Sequence, residues 1–180
     1  RSSEVDGDRL YLGTSLGIEV VDLDVRPIGV LGIGLKDQAS SIVVAGDVAV
    51  FSGSRFARSV KLEEGAGLSV VDRLEFDGSP GRPSMDGALV AVPLYPHEVG
   101  LFALGSENEL AMIGEISTDH CQAYRVDLDH ERLAIPLLCA DDSGILEVHD
   151  VSDPSVPERV FRYVSDEPIL DAVFDGGRLF

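Results

Sequence analysis

Basic residues are scarce in this sequence: 180 residues carry 14 Lys and Arg against 32 Asp and Glu, a formal net charge of −18. Only Lys36 and Lys61 are lysines. So acidic a surface repels nucleic-acid phosphates and anionic lipid headgroups, and neither is an expected partner. Long hydrophobic runs are missing too, so nothing approaches the ~20 apolar residues of a bilayer-spanning helix. With two cysteines, four histidines and no C-x-x-C or H-x-x-x-H spacing, a tight zinc site is excluded. Glycine is plentiful but wrongly placed for cofactor loops. Gly29, Gly32 and Gly34 miss the dinucleotide spacing and open no helical pattern. Gly13-Thr14-Ser15-Leu16-Gly17 matches a nucleophile elbow in letters only, because the β-branched run Ile18 to Val21 follows where a helix is required.

What the sequence does contain is a repeat. Asp6-Gly7-Asp8-Arg9-Leu10, Ala45-Gly46-Asp47-Val48, Asp86-Gly87-Ala88-Leu89, Asp129-His130-Glu131-Arg132-Leu133 and Asp175-Gly176-Gly177-Arg178-Leu179 all read as two-residue hairpin turns between apolar arms. Their turn residues fall at 7, 46, 87, 130 and 176, at intervals of 39, 41, 43 and 46. Behind them come short apolar runs that close in turn residues: Gly17 to Asp22, Gly67 to Asp72, Gly100 to Leu104, and Ser143 to Pro157 (SGILEVHDVSDPSVP). About four short strands per interval of this length predict an all-β chain of four-stranded antiparallel blades, a β-propeller. The blades are expected over residues 1–35, 36–76, 77–116 and 117–164, with a further one starting over 165–180. Because the two ends fall at the same point of the repeat, the expectation is an open four-blade arc of a larger ring. In the third blade Arg82-Pro83-Ser84-Met85 is a poor innermost strand, since Pro cannot donate to a ladder.

The phrase around Leu146, Val148, Asp150, Val151, Ser152, Asp153, Pro154 and Pro157, preceded by the hairpin Asp129 to Leu138, resembles the LVIVD-type repeat of bacterial and archaeal propellers. The other copies keep the glycine and the apolar run but lose Ser-Asp-Pro. The resemblance implies a secreted or cell-surface interaction protein and supplies no catalytic residues.

Site residues are read from position in the repeat. Asp37, Asp77, Asp119 and Asp166 lie 9 to 11 residues before successive turn residues, where each chain segment enters an innermost strand. Carboxylates converging at one mouth of a central channel would call for a hard cation such as Ca²⁺. The segment Gly53 to Gly65 reads as an inserted loop, and its Arg55, Phe56, Arg58 and Lys61 form a basic, aromatic contact for an acidic partner. Tyr95 and His97 sit in a second loop stiffened by Pro93 and Pro96. Cys121 and Cys139 flank the turn at His130, but strict pairing about that turn puts them one step out of register, on opposite faces; a one-residue bulge would set them opposite each other. The favoured function is a non-catalytic scaffold that binds a protein or glycan. The alternative is a metal-dependent propeller hydrolase or lactonase acting at the channel mouth.

Overall fold

The computed structural model describes residues 2–15, 17–24, 29–34 (backbone only, as for residue 2), 39–62 and 68–180. The described residues form antiparallel β-structure without a helix. The first sheet runs β1 (Ser2–Asp6), β2 (Arg9–Thr14), β3 (Gly17–Asp22), β4 (Gly29–Gly34) in simple meander order. The second is β5 (Ser41–Ala45), β6 (Val48–Ser52), β7 (Phe56–Leu62), β8 (Leu68–Glu75). The third is β9 (Ser84–Asp86), β10 (Leu89–Leu94), β11 (Glu98–Leu104), β12 (Leu110–Ser117). In the fourth the first strand is split into β13 (Gln122–Ala123) and β14 (Asp127–Asp129), followed by β15 (Arg132–Leu138), β16 (Gly144–Asp150) and β17 (Glu158–Ser165). A last hairpin pairs β18 (Phe174–Asp175) with β19 (Arg178–Leu179).

The five turns are two-residue hairpins, closed by Asp6↔Arg9, Ala45↔Val48, Asp86↔Leu89, Asp129↔Arg132 and Asp175↔Arg178. Their first residue is left-handed each time, with φ of 56° at Gly7, 60° at Gly46, 56° at Gly87, 57° at His130 and 56° at Gly176. That conformation carries no steric cost for glycine, which explains why four of the five repeats place it there. A second periodic feature lies between the third and fourth strands. Each pair slips register once, after Val20, Ser59, Leu101 and Val148, so each fourth strand holds one extra residue. Such bulges increase local twist.

Three apolar cores fill the spaces between consecutive sheets. Tyr11, Ile18 and Val20 of the first sheet meet Ala49, Phe51, Phe56 and Val60 of the second. Val50 of the second meets Val90, Val92 and Phe102 of the third. Ala91, Val99 and Leu101 of the third meet Leu133, Ile135 and Leu137 of the fourth. Alternate residues of one strand thus serve two cores: Phe51 faces one way and Val50 the other. Burial on both faces is why a second strand such as β6 is apolar from Val48 to Phe51 without alternation.

The structure corrects one assignment. The segment expected as an inserted loop is the strand β7, and the run beginning at Gly67 belongs to β8, the fourth strand of its sheet. Phe56, Val60 and Leu62 are buried, while Arg58 lies across the Phe56 ring at 5.2 Å and Lys61 is exposed on the opposite face. Long cationic side chains that cover apolar surface with their stems let a strand read as a polar loop.

Candidate functional site

The first strands of the sheets approach one another in order, β1 beside β5, β5 beside β9, β9 beside β14 and β14 beside β18. Around them lie two openings that share Arg82 and Arg125. These arginines occupy the same place in the repeat, five residues before Gly87 and five before His130. They are brought side by side by a parallel bridge between the segments entering the third and fourth sheets, with the Arg82 amide donating to Tyr124 O at 2.8 Å.

The bridge depends on Gly81. A Cβ there would lie 2.4 Å from Tyr124 O, so only glycine lets the two backbones close to this distance. Gly81 is also tied to three strands. Its amide donates to Pro93 O at 2.8 Å, and its carbonyl accepts the hydroxyls of Ser52 at 2.9 Å and Ser41 at 3.3 Å. The Ser41 and Ser52 hydroxyls hydrogen-bond each other. Anchored on three sides, the segment presents Arg82 from a fixed backbone.

Arg82 Nη2 pairs with Glu4 Oε2 of β1 at 3.3 Å, linking the third sheet to the first. Arg125 Nη1 pairs with Asp171, on the segment that enters β18. Among the described residues each guanidinium spends one nitrogen on an ion pair, with a carboxylate that lines the smaller opening, and both arginines line the larger opening as well. Asp127 Oδ2 accepts the Phe174 amide at 2.7 Å. Burial raises the Glu4 carboxyl above its ordinary range despite the Arg82 charge. Burial likewise raises Asp127, partly offset by the Phe174 amide.

The larger opening, about 900 Å³, is lined by Ser3, Ser15, Ser40 and Tyr124 beside the two arginines, with Glu19 the single carboxylate among the described residues. The smaller, about 310 Å³, holds Glu4, Asp127 and Asp171. Neither is lined by a described histidine.

The carboxylates expected at a channel mouth are Asp37, Asp77, Asp119 and Asp166. Asp37 lies outside the described residues. Asp77, Asp119 and Asp166 are exposed, and each follows within two residues the end of a fourth strand: β8, β12 and β17. They line neither opening and do not gather into a donor group. The physical reason is the length of the crossing. A segment running from a fourth strand to the next first strand spans the width of a sheet, and counting ten residues back lands at its far end. Counting five back finds Ser41, Arg82, Arg125 and Asp171, the signal that sequence reasoning missed. The described donors that do gather are Asp86, Asp129 and His130, at the tips of two neighbouring first hairpins, with Asp129 half-buried and the other two exposed.

Of the expected partner contacts, Arg55 is exposed and 3.9 Å from Asp77. Phe56 is buried under Arg58 and Arg73, which removes it from any partner's reach, and Arg58 and Lys61 are strand residues. Tyr95 is exposed in its loop, whereas His97 is half-buried, its ring edge-on to His120 at 5.6 Å. Cys121 and Cys139 are bonded. β14 keeps the strict register of the hairpin, but β13 pairs one residue out of step, Gln122 with Leu138 and Ala123 with Leu137. The slip at Tyr124 to Val126 is the bulge that brings the cysteines opposite each other, Cα atoms 4.2 Å apart.

A second buried polar group went unnoticed in the sequence. Glu147 of β16 accepts Arg159 Nη1 at 2.7 Å, lies 3.4 Å from Arg162 Nε, and contacts His149 Nε2 at 3.0 Å. Burial pushes its carboxyl up, but these hydrogen bonds and charges outweigh burial and hold it below the ordinary 4.5.

No family model and no curated protein matches this chain. Its fold is similar to that of the computationally designed protein Ika8, with a TM-score of 0.74 and 8% identity over 98% of this chain and 53% of that one. It is also similar to a protein from Lactobacillus plantarum, with a TM-score of 0.73 and 16% identity over 87% of this chain and 52% of that one. The chain spans about half the length of each, and at these identities the likeness concerns the fold alone.

Proposed function

We propose that the chain is an arc of a β-propeller, four blades and the first hairpin of a fifth around a common axis, and that it acts as a non-catalytic module binding a protein or glycan. One observation carries the architecture: the 3.3 Å ion pair between Glu4 of the first sheet and Arg82 of the third. Sheets stacked in parallel layers stand roughly 10 Å apart, so two layers separated by a third would be about 20 Å apart, beyond the reach of one Arg and one Glu. Sheets that radiate from an axis bring first strands together.

The non-catalytic reading is supported by the lining of the openings. A metal-dependent hydrolase needs several oxygen or nitrogen donors aimed at one point. Among the described residues the larger opening offers one carboxylate and two arginines, and Glu4, Asp127 and Asp171 do not form a three-donor group. The disulfide supports an extracellular or cell-surface setting, where such bonds persist.

Two measurements test this. Small-angle scattering of the chain is expected to fit the converging arrangement and to reject parallel layers. Incubation with lactones and esters in the presence of Ca²⁺ is expected to give no turnover above buffer. Turnover abolished by chelation would reverse the functional choice.

A further inference from the structure

The geometry points to the larger opening as a binding site for a carboxylated saccharide, one carrying uronic-acid units, held by Arg82 and Arg125 together. This rests on the binding-module reading above and names its ligand class. Four features of the opening select that chemistry.

The first is the paired guanidiniums. In a parallel bridge, directly paired residues project to the same side, so Arg82 and Arg125 offer two planar forks to one ligand. Each retains donors beyond its single ion pair. A guanidinium matches a carboxylate with two parallel hydrogen bonds, a geometry that an ammonium cannot supply.

The second is the contrast with the rest of the molecule. On a chain of net charge −18, two adjacent arginines lining an opening whose described residues include one carboxylate, Glu19, depart from the surface average. Each arginine already pairs with one carboxylate, so an anion is repelled less here than elsewhere, and its binding rests on the guanidinium donors left over from those pairs. The third is the lining itself. Ser3, Ser15 and Ser40 supply hydroxyls suited to exchange hydrogen bonds with sugar hydroxyls, and apolar side chains are few. Such a wall favours a polyhydroxylated ligand over a fatty or aromatic acid. The fourth is Tyr124, adjacent to Arg125 and half exposed, whose ring is a platform for the face of a pyranose. A volume of about 900 Å³ falls within the ~300–1,000 Å³ of ligand clefts and accommodates a short oligosaccharide.

The positions also explain what neighbouring sheets contribute. The equivalent place in the second sheet is Ser41, whose hydroxyl holds Gly81 O, and in the last hairpin it is Asp171, which orients Arg125. The two arginines are therefore the ligand-facing members of the series, while the serine and the aspartate position them.

Isothermal titration with trigalacturonate tests the site, with neutral maltotriose and the small carboxylate citrate as parallel arms. Trigalacturonate is expected to bind saturably, and maltotriose and citrate at least about tenfold more weakly. Arg82→Gln and Arg125→Gln are each expected to weaken trigalacturonate at least about tenfold, the loss of a charge-assisted hydrogen bond. Arg55→Gln, remote from the opening, is expected to change nothing. Arg82→Lys keeps the charge but loses the fork, and should fall between wild type and the glutamine variant. If the glutamine variants do not fold, the three-ligand comparison on the wild-type chain decides alone. Absence of saturable trigalacturonate binding, equal binding of maltotriose, or equal binding of citrate would overturn the inference. A reducing-end assay on the same mixtures separates the two readings: cleavage of the bound saccharide would refute the non-catalytic module and leave the site standing, whereas no binding would remove the site and leave the module.

Discussion

Breaking the Cys121–Cys139 bond should cost this fold about 3 kcal/mol. The bond closes a loop with a sequence separation of 18, and the chain-entropy model gives about 3 kcal/mol for cross-linking an unfolded chain over that length. Cys121 is buried in the core between the third and fourth sheets, so replacing both cysteines by alanine adds only a small packing change to the entropic term. For a domain of this size each kcal/mol moves the melting temperature by roughly 2–4 °C, so the Cys121→Ala/Cys139→Ala protein should melt about 6–12 °C lower. Urea unfolding of the oxidised protein, the reduced protein and the double variant is the assay. A lower midpoint in both altered forms is expected, with a slope equal to or slightly above that of the oxidised protein because the released chain exposes more surface when unfolded. Reduced and oxidised midpoints that coincide, or two titratable thiols in the oxidised protein under denaturant, would refute the reasoning.

Replacing Glu147 by Gln should cost about 2 kcal/mol in urea unfolding, toward the low end for a buried ion pair because Arg159 and Arg162 are half solvated. Its depressed carboxyl stabilises the fold above the ordinary 4.5, and that stabilisation is lost as pH falls through the folded value; a stability profile between pH 6 and 3 should show the loss in wild type and not in Glu147→Gln. Gly81→Ala should lower stability by about 1–3 kcal/mol, since its Cβ meets Tyr124 O at 2.4 Å, and amide exchange at Arg82 should quicken as its bond to Tyr124 is lost. His130 should titrate above the ordinary 6.5, because Asp129 hydrogen-bonds the ring and Asp129 and Asp86 add their charges. A raised value favours folding below 6.5 and the benefit disappears as pH rises through the folded value; an NMR titration in which Asp129→Asn leaves His130 unchanged would disprove the cause.

The repeat was legible because its turn residues obey a backbone requirement. Gly7, Gly46, Gly87 and Gly176 must be left-handed, and a residue type constrained by φ stays visible when side chains drift. His130 occupies the same conformation and was found only by its spacing. The second sheet was harder. β7, Phe-Ala-Arg-Ser-Val-Lys-Leu, spends alternate positions on cations whose stems pack on the strand, so its hydrophobic signal is diluted, whereas β8 carries the Leu-Ser-Val-Val run that mimics third strands elsewhere. The acids were ambiguous for a different reason. Periodic aspartates in a chain with 32 acidic residues mark turn ends as readily as a site, and sequence spacing does not say how much of a crossing segment lies between. Arg82 and Arg125 obey the repeat as well as any aspartate, but a shared cation in a poor strand carries no hydropathy signal.

A single register slip connects the features of the fourth sheet. Were β13 and β14 one continuous strand in the register of Asp129↔Arg132, Cys121 would face Ala140, the cysteines would point to opposite faces, and no bond would form. Slipping by one residue across Tyr124 to Val126 frees the backbone there from β15, and that freed backbone is what Arg82 uses: its amide takes Tyr124 O, and Arg125 becomes its bridge partner. The disulfide holds the slipped register on one side of the bulge, and the buried Leu128↔Leu133 pair holds the strict register on the other. Both ends being fixed, the bulge cannot anneal out. The irregularity that prevents a tidy first strand in the fourth sheet is therefore the feature that presents Arg125, and the cystine is its clamp.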